Sequence, residues 1–332
     1  MAVTIVVSIR LLASRTFNQL RCWISYALSL FGVVRVRHLP TFVSVEPANF
    51  CQLHCPECPV GNKKGENGAL INIETFKRVL KLVQNTAHTM QFYFQGEPLL
   101  NKQLPEMIAR SHQAGLYTIV STNAQALSKE MADSLVKSGL SRIIVSIDGF
   151  SEESYSAYRV GGNLHKALDG LRLLREAKKQ QRSSIVIELQ VLRLSTNEHE
   201  WQWIRKNYKK LGATHLVFKT AQLYNFETGH PLMPTDERYS RYKKGLDGKY
   251  YLHRSWLRRK WYVNPCFRLW SGCVITTTGE VLPCCYDKEH RHSLGNLTTR
   301  SLSDIFHSKH ADALRRCILT GQLPEMCRNC NY

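Results

Sequence analysis

The chain has 332 residues, 43% hydrophobic and 21% charged, which is enough to bury a substantial core and excludes both a disordered chain and a disulfide-stapled mini-domain. Eleven cysteines are many for an ordinary enzyme, and their odd number argues against full pairing. A formal charge of +19 asks for an anionic partner or a strongly solvated surface.

Residues 1–40 form a basic, amphipathic extension. Thr4 to Ser8 and Trp23 to Val34 are largely apolar, but Arg10, Arg15 and Arg21 separate them. Neither run approaches the roughly 20 residues that span a bilayer. With no secretory signal pattern, a reducing cytoplasm is expected, in which thiolates stay available to metal.

From Thr41 onward, β-branched runs alternate with helical periods. The strand candidates are Thr41 to Glu46, Met90 to Phe94, Tyr117 to Ser121, Arg142 to Ile147, Ile185 to Leu192 and His215 to Thr220. Between them lie apolar residues at helical spacing, such as Ile73, Phe76, Val79, Leu80 and Val83, with Asn72, Ser128 and Thr196 as expected N-caps. Such alternation implies an α/β fold with a parallel sheet. The regular pattern ends at 222–262, where Gly229, Pro231, Pro234, Gly245 and Gly248 point to a connector or a substrate-facing insertion. A basic stretch from Arg238 to Lys260 is interleaved with Tyr239, Tyr242, Tyr250, Tyr251 and Trp256, with Trp261 just beyond. It is compatible with RNA binding, but a solvated surface that attracts an acidic electron donor or an anionic substrate is the favoured reading.

Cys51, Cys55 and Cys58 stand in the order C-x3-C-x2-C after the first strand. Three neighbouring thiolates can hold three irons of a [4Fe-4S] cluster and leave the fourth open; zinc or incidental core cysteines are the competing readings. The run Cys51-Gln-Leu-His-Cys55-Pro-Glu-Cys58 resembles the cluster motif of the radical S-adenosylmethionine (SAM) enzymes, with Glu57 where many members carry an aromatic residue. His54, inside the loop, is read as a solvated residue rather than a ligand.

The resemblance extends from about Phe42 to Thr220 and implies a partial (β/α)6 barrel. Phe94-Gln95-Gly96-Glu97-Pro98 is similar to the family's Gly-Gly-Glu-Pro segment, so Gly96 and Glu97 are implied to meet the SAM amino group. Ser121 and Asn123, Ser146 and Asp148, and Arg159 in Tyr158-Arg159-Val160-Gly161-Gly162 look like the other SAM-contacting positions, the arginine engaging the carboxylate. Gln190 is expected to face the same cleft.

Further on, Pro265-Cys266, Gly279-x4-Cys284 and Cys327-x2-Cys330 resemble the SPASM or twitch-type extension of these enzymes. This implies an auxiliary [4Fe-4S] cluster on Cys266, Cys284, Cys327 and Cys330, with a four-cysteine zinc site as its competitor. Cys22, Cys273, Cys285 and Cys317 are then left as small buried hydrophobes. The implied domains are the extension 1–40, a barrel 41–221, the connector 222–262 and an auxiliary-cluster domain 263–332.

The family's chemistry is reductive cleavage of SAM to a 5'-deoxyadenosyl radical, which abstracts a substrate hydrogen. An external donor such as a flavodoxin or ferredoxin would supply the electron. A peptide is the expected substrate. Sugar or aminocyclitol oxidation or epimerisation, RNA modification and a non-catalytic metal-binding role are the alternatives.

Overall fold

The structure, a computed structural model, describes residues 2–61, 68–253 and 266–330, and side chains from residue 10 onward. Trp256, Lys260, Trp261 and Pro265 lie outside the described residues, as do the side chains of the Thr4 to Ser8 run. A long helix, α1 (Ala2–Ser29), precedes the sheet.

Strands β1 (Phe42–Val45), β2 (Thr89–Phe92), β3 (Tyr117–Thr122), β4 (Arg142–Ser146), β5 (Val186–Arg193) and β6 (His215–Thr220) lie side by side in chain order, each neighbouring pair parallel. All the expected strands form, with small shifts at their ends. The crossovers carry α2 (Ile73–Val83), α3 (Leu104–Gln113), α4 (Lys129–Lys137), the short α5 (Glu152–Tyr158), α6 (Leu164–Gln180) and α7 (Trp201–Leu211).

Alternation along the strands sorts their side chains. One set, including Val43, Met90, Val120, Ile143, Leu189 and Val191, is fully buried in the same core as Phe76, Met107, Leu135, Leu171 and Ile204 of the helices. Each such side chain stabilises the fold by about 1.5–3 kcal/mol through burial. The opposite set holds Ser44, Gln91, Ser121, Ser146, Glu188 and Gln190, which are register partners or alternate neighbours on their strands. A polar face of this kind has no use in a packed core; here it lines the open side of the barrel.

Asn72 and Ser128 cap α2 and α4 as expected, accepting from Thr75 N at 2.8 Å and Met131 N at 3.2 Å. Thr196 does not act as an N-cap. Residues Ser195–Glu200 form a 3-10 turn before α7 because Asn197 is drawn inward. Its amide donates to Asp148 O and Leu192 O at 2.8 Å, and its carbonyl accepts from Leu194 N and Trp201 Nε1.

The expected connector contains a small antiparallel hairpin, β7 (Tyr242–Lys244) with β8 (Tyr250–Leu252). Tyr242 is buried against Phe226, its hydroxyl bonded to Leu223 and Asn329, so this aromatic of the basic stretch holds the chain together.

The C-terminal segment continues the sheet. β9 (Gly272–Ile275) pairs in parallel with the other edge of β1, and β10 (Glu280–Leu282) and β11 (Gly295–Asn296) follow antiparallel, giving one nine-stranded sheet. Gly272 permits this junction, since a Cβ there would lie 2.8 Å from both the carbonyl oxygen and the ring of Phe42. Helices α8 (Arg268–Ser271), α9 (Leu302–Phe306), α10 (Lys309–Thr320) and α11 (Glu325–Arg328) complete the segment.

Candidate active site

The loop leaving the C-terminal end of β1 carries Cys51, Cys55 and Cys58, half-buried or buried against Leu53, Tyr158, Leu194, Leu223 and Tyr242. Leu53 N and Asn123 Nδ2 donate to Cys51 Sγ at 3.4 and 3.3 Å, and Arg159 Nη1 lies 3.9 Å from Cys55 Sγ. Burial, with Glu97, Cys55 and Cys58 nearby, pushes the Cys51 thiol up to about 12, although the Leu53 N–H opposes it. Cys55 is likewise raised, by burial first and then by Cys58 and Asp148, against the pull of Arg159. Two thiols that resist ionisation, with a third beside them in a water-poor site, are a donor set for a cationic centre that neutralises them. Among the described residues, no three His, Cys, Asp or Glu side chains converge tightly enough to hold a single metal ion. A [4Fe-4S] cluster asks less convergence, because each thiolate meets its own iron. The residues fit the cluster. His54 is exposed, its ring nitrogen 3.0 Å from Gly61 O.

The turn after β2 lies directly on this loop. A Cβ at Gly96 would sit 2.2 Å from Ala48 O and 2.7 Å from Phe50 N, so glycine is required for the approach. Next to it, Glu97 is buried and fully engaged: it accepts from Leu99 N at 3.0 Å, Thr122 Oγ1 at 2.6 Å and Asn123 N at 2.9 Å. Burial raises its pKa, and these donors work against the rise. Glu97 thereby fixes the end of β3 and aims Asn123 at Cys51, while Gln52 Nε2 holds the Asn123 carbonyl at 3.2 Å. Gln95, in place of a glycine, reaches to Lys288 O at 2.7 Å and ties the turn to the C-terminal segment.

On the far side, Asp148 is buried and holds Arg159 through Nε at 2.7 Å and Nη2 at 2.6 Å, while accepting from Leu192 N at 2.6 Å. Burial works against the Arg159 charge, but Asp148 and Cys55 outweigh it and the guanidinium pKa is raised. Its remaining edge faces Cys55. Ser146 and Gln190 are register partners, and Ser121 lies on the neighbouring strand on the same polar face. Thus Gly96, Asn123 and Arg159 meet the cysteine loop itself, while Ser121, Ser146 and Gln190 lie along the open side beneath it.

Sequence reading did not assign a partner to Glu57. Its carboxylate accepts from Tyr224 N at 2.6 Å and lies 3.3 Å from His230 Nε2, pinning the cysteine loop to the connector. Beyond it opens a cavity of about 430 Å³. Its walls are residues interleaved with both cysteine sets: Pro56, Glu57 and Pro59 from the first loop, and Tyr286, Met326 and Asn329 from the C-terminal segment.

Cys266, Cys284 and Cys327 pack on one apolar cluster around Trp270 and Phe306, and Cys330 is close enough to Cys266 to raise its pKa, after burial, by charge repulsion. The four sulfurs predicted as ligands therefore gather at one place. Cys273 and Cys22 are fully buried thiols, raised by burial to about 12 and about 11, as small core hydrophobes should be. Cys285 does not fit that description. It adjoins Cys284, whose thiol hydrogen bond lowers the Cys285 pKa, and Arg268 Nη1 donates to it at 3.3 Å.

Comparison with known proteins agrees with this geometry. Residues 45–199 match the family described as the Radical SAM superfamily, and residues 266–331 match SPASM, an iron-sulfur cluster-binding domain. A protein named PqqA peptide cyclase, from Rhodopseudomonas palustris, is 27% identical over 315 residues, covering 89% of this chain and 80% of its own length. Among solved structures, anSMEcpe with bound AdoMet aligns with a TM-score of 0.62 and 16% identity over 88% of this chain and 85% of that one. BtrN in complex with AdoMet and 2-DOIA aligns at 0.54 with 17% identity over 90% and 95%. At these identities the two structures speak for the fold alone. The chain belongs to the radical SAM superfamily with a C-terminal SPASM domain, an enzyme whose cofactors are a SAM-binding [4Fe-4S] cluster, SAM itself and an auxiliary cluster.

Proposed function

We propose that the enzyme takes a hydrogen atom from a peptide held in the cavity between its two cysteine sets and releases it oxidised or otherwise modified. The observation that carries this reading is the cavity wall, in which residues adjacent to Cys55 and Cys58 face residues adjacent to Cys285, Cys327 and Cys330. A volume of about 430 Å³ lies within the usual range for a ligand site. Relatives named PqqA peptide cyclase act, by their name, on a peptide, which favours that substrate class. The cavity lining is mixed in charge, with Glu57, Glu289 and Glu325 beside Lys288 and Arg291, as suits a polar backbone.

When bound, the reduced cluster and SAM supply the carbon radical that performs the abstraction. The chain orients and shields. Cys51, Cys55 and Cys58 would hold the first cluster, and Cys266, Cys284, Cys327 and Cys330 the auxiliary one, which would take up the electron that leaves the substrate radical as the product becomes oxidised. Gly96 lets the turn close on the cysteine loop, where its backbone would meet the SAM amino group, and Glu97 braces that segment from behind. Arg159, held charged by Asp148, would suit the SAM carboxylate, while Ser121, Asn123, Ser146 and Asp148 would border the rest of the molecule. Leu53, Tyr158 and Leu223 pack with the three cysteines and keep water from them. The strongly basic chain favours an acidic reductant such as a flavodoxin or ferredoxin, in a reducing cytoplasm.

The test is anaerobic reconstitution followed by turnover with candidate peptides carrying deuterium at defined carbons. Deuterium appearing in 5'-deoxyadenosine is the expected result. Label transfer from a sugar or an RNA, with none from any peptide, would overturn the peptide reading while leaving the family intact.

A further inference from the structure

Helix α1 is amphipathic with its faces reversed. The side turned to the protein carries Arg15, Asn18, Cys22, Ser25 and Ser29, all buried. Arg15 donates to Gln84 O, Ala114 O and Gly115 O, and Asn18 Nδ2 donates to Leu39 O and Thr86 O. Solvent receives the apolar side: Leu12, Phe17, Leu20, Ile24 and Leu28, continued past the helix end by Phe31, which is 84% exposed. At 100° per residue the five helical positions cover one arc, interrupted only by Thr16 and small alanines. Trp23 and Tyr26 add ring contacts to Phe267 and Trp270 near its end, and a helix so anchored that still shows Leu12, Phe17, Leu20, Ile24 and Leu28 outward is built for an apolar partner.

The charge identifies that partner. No Asp or Glu precedes Glu46, while Arg10, Arg21, Arg35 and Arg37 are all exposed around the apolar face, with the Arg21 guanidinium over the Phe17 ring at 4.3 Å. Two copies meeting through this face would bring eight uncompensated arginines together, on chains that each carry +19. An anionic bilayer surface welcomes the same charges and accepts the hydrophobes at its headgroup boundary. No helix among the described residues is long and apolar enough to cross a membrane, so the contact is peripheral.

We propose that α1 docks this enzyme flat on an anionic lipid surface. The contacts of Arg15 and Asn18 fall on residues that immediately precede β1, β2 and β3, at the N-terminal ends of the strands. The cysteine loop and Glu97 lie at the opposite, C-terminal ends. The docked enzyme therefore turns its cavity away from the bilayer, open to a water-borne substrate. This inference stands independently of the peptide reading.

Flotation of the reconstituted enzyme, kept anaerobic, with phosphatidylcholine vesicles and with vesicles that also contain phosphatidylglycerol tests it. Binding to the anionic vesicles, weakened by salt and far weaker on neutral ones, is expected. Combining Phe17→Ser, Leu20→Ser and Ile24→Ser should lower the partition coefficient by more than about tenfold. Arg21→Gln, Arg35→Gln and Arg37→Gln should each lower it by about fivefold. Both sets should keep wild-type iron content and SAM cleavage, which separates lost docking from lost folding. Equal binding to neutral and anionic vesicles would overturn the proposal. So would an absence of vesicle binding, whether the wild type is then monomeric or forms a dimer that the serine variant dissociates.

Discussion

Replacing Asp148 by Asn removes one charge from a buried pair and leaves the other. Asp148 accepts three bonds, two of them from Arg159, and its side chain is 1% exposed. The asparagine can still accept from Leu192 N, but its amide then points donors at a guanidinium that offers only donors. Breaking a buried pair from one side costs about 3–5 kcal/mol. For a chain of this length, that is a fall in melting temperature of about 4–7 °C. The freed Arg159 also loses its fixed edge toward Cys55, so SAM affinity should fall together with stability. Thermal unfolding of the cluster-loaded protein and equilibrium SAM binding read the two effects. Adding Arg159→Met to Asp148→Asn should recover part of the lost stability, because a neutral pair of similar volume carries no stranded charge, but should not recover SAM binding. Wild-type stability in the single variant, or no recovery in the double one, would refute the reasoning.

Glu46, buried behind β1, has its carboxyl pushed up to about 7 from an ordinary 4.5, chiefly by burial. Between those values the folded chain holds this proton more tightly than the unfolded chain, so stability falls as pH rises through the window and levels off above it; the full effect is about 3 kcal/mol. Denaturant unfolding at about pH 5 and about pH 8 should show this loss in the wild type and a smaller one in Glu46→Gln; an equal loss in both would contradict the assignment. Gly96→Ala places a methyl against the Ala48 carbonyl, which is backbone and cannot yield cheaply, so a destabilisation of about 2 kcal/mol or more and loss of 5'-deoxyadenosine formation are expected. Normal melting and turnover would show that the turn is looser than drawn. Cys55→Ala should abolish SAM cleavage, whereas Cys327→Ala should lose about half of the iron and keep uncoupled cleavage; the reverse pattern, measured by iron analysis and 5'-deoxyadenosine yield, would exchange the roles of the two cysteine sets.

The parallel strands were legible because each is a short β-branched run with a helical period after it, and local pattern is all that such strands require. The cysteine triplet was legible because its ligands sit within eight residues of one another. Less could be read where partners are far apart in sequence. Glu57 looked like a departure from a family pattern until Tyr224 and His230 came to it across more than 160 residues. Asn197 displaced Thr196 from its expected cap because Asp148 O and Leu192 O recruit it. Cys285 read as an inert hydrophobe since nothing local reveals Arg268 beside it. In α1 the composition showed mixed apolar and basic residues, but burial of Arg15 rather than Leu20 follows from carbonyl groups on distant loops. The continuity of the C-terminal segment with β1 is likewise a long-range pairing that no local pattern announces.

The central claim is that these cysteines bind iron-sulfur clusters. Metal and acid-labile sulfide analysis of protein purified without oxygen tests it most directly. About eight irons and a matching amount of sulfide per chain are predicted, falling by about half when Cys51, Cys55 and Cys58 are replaced together by Ala. Stoichiometric zinc with no labile sulfide would contradict the account.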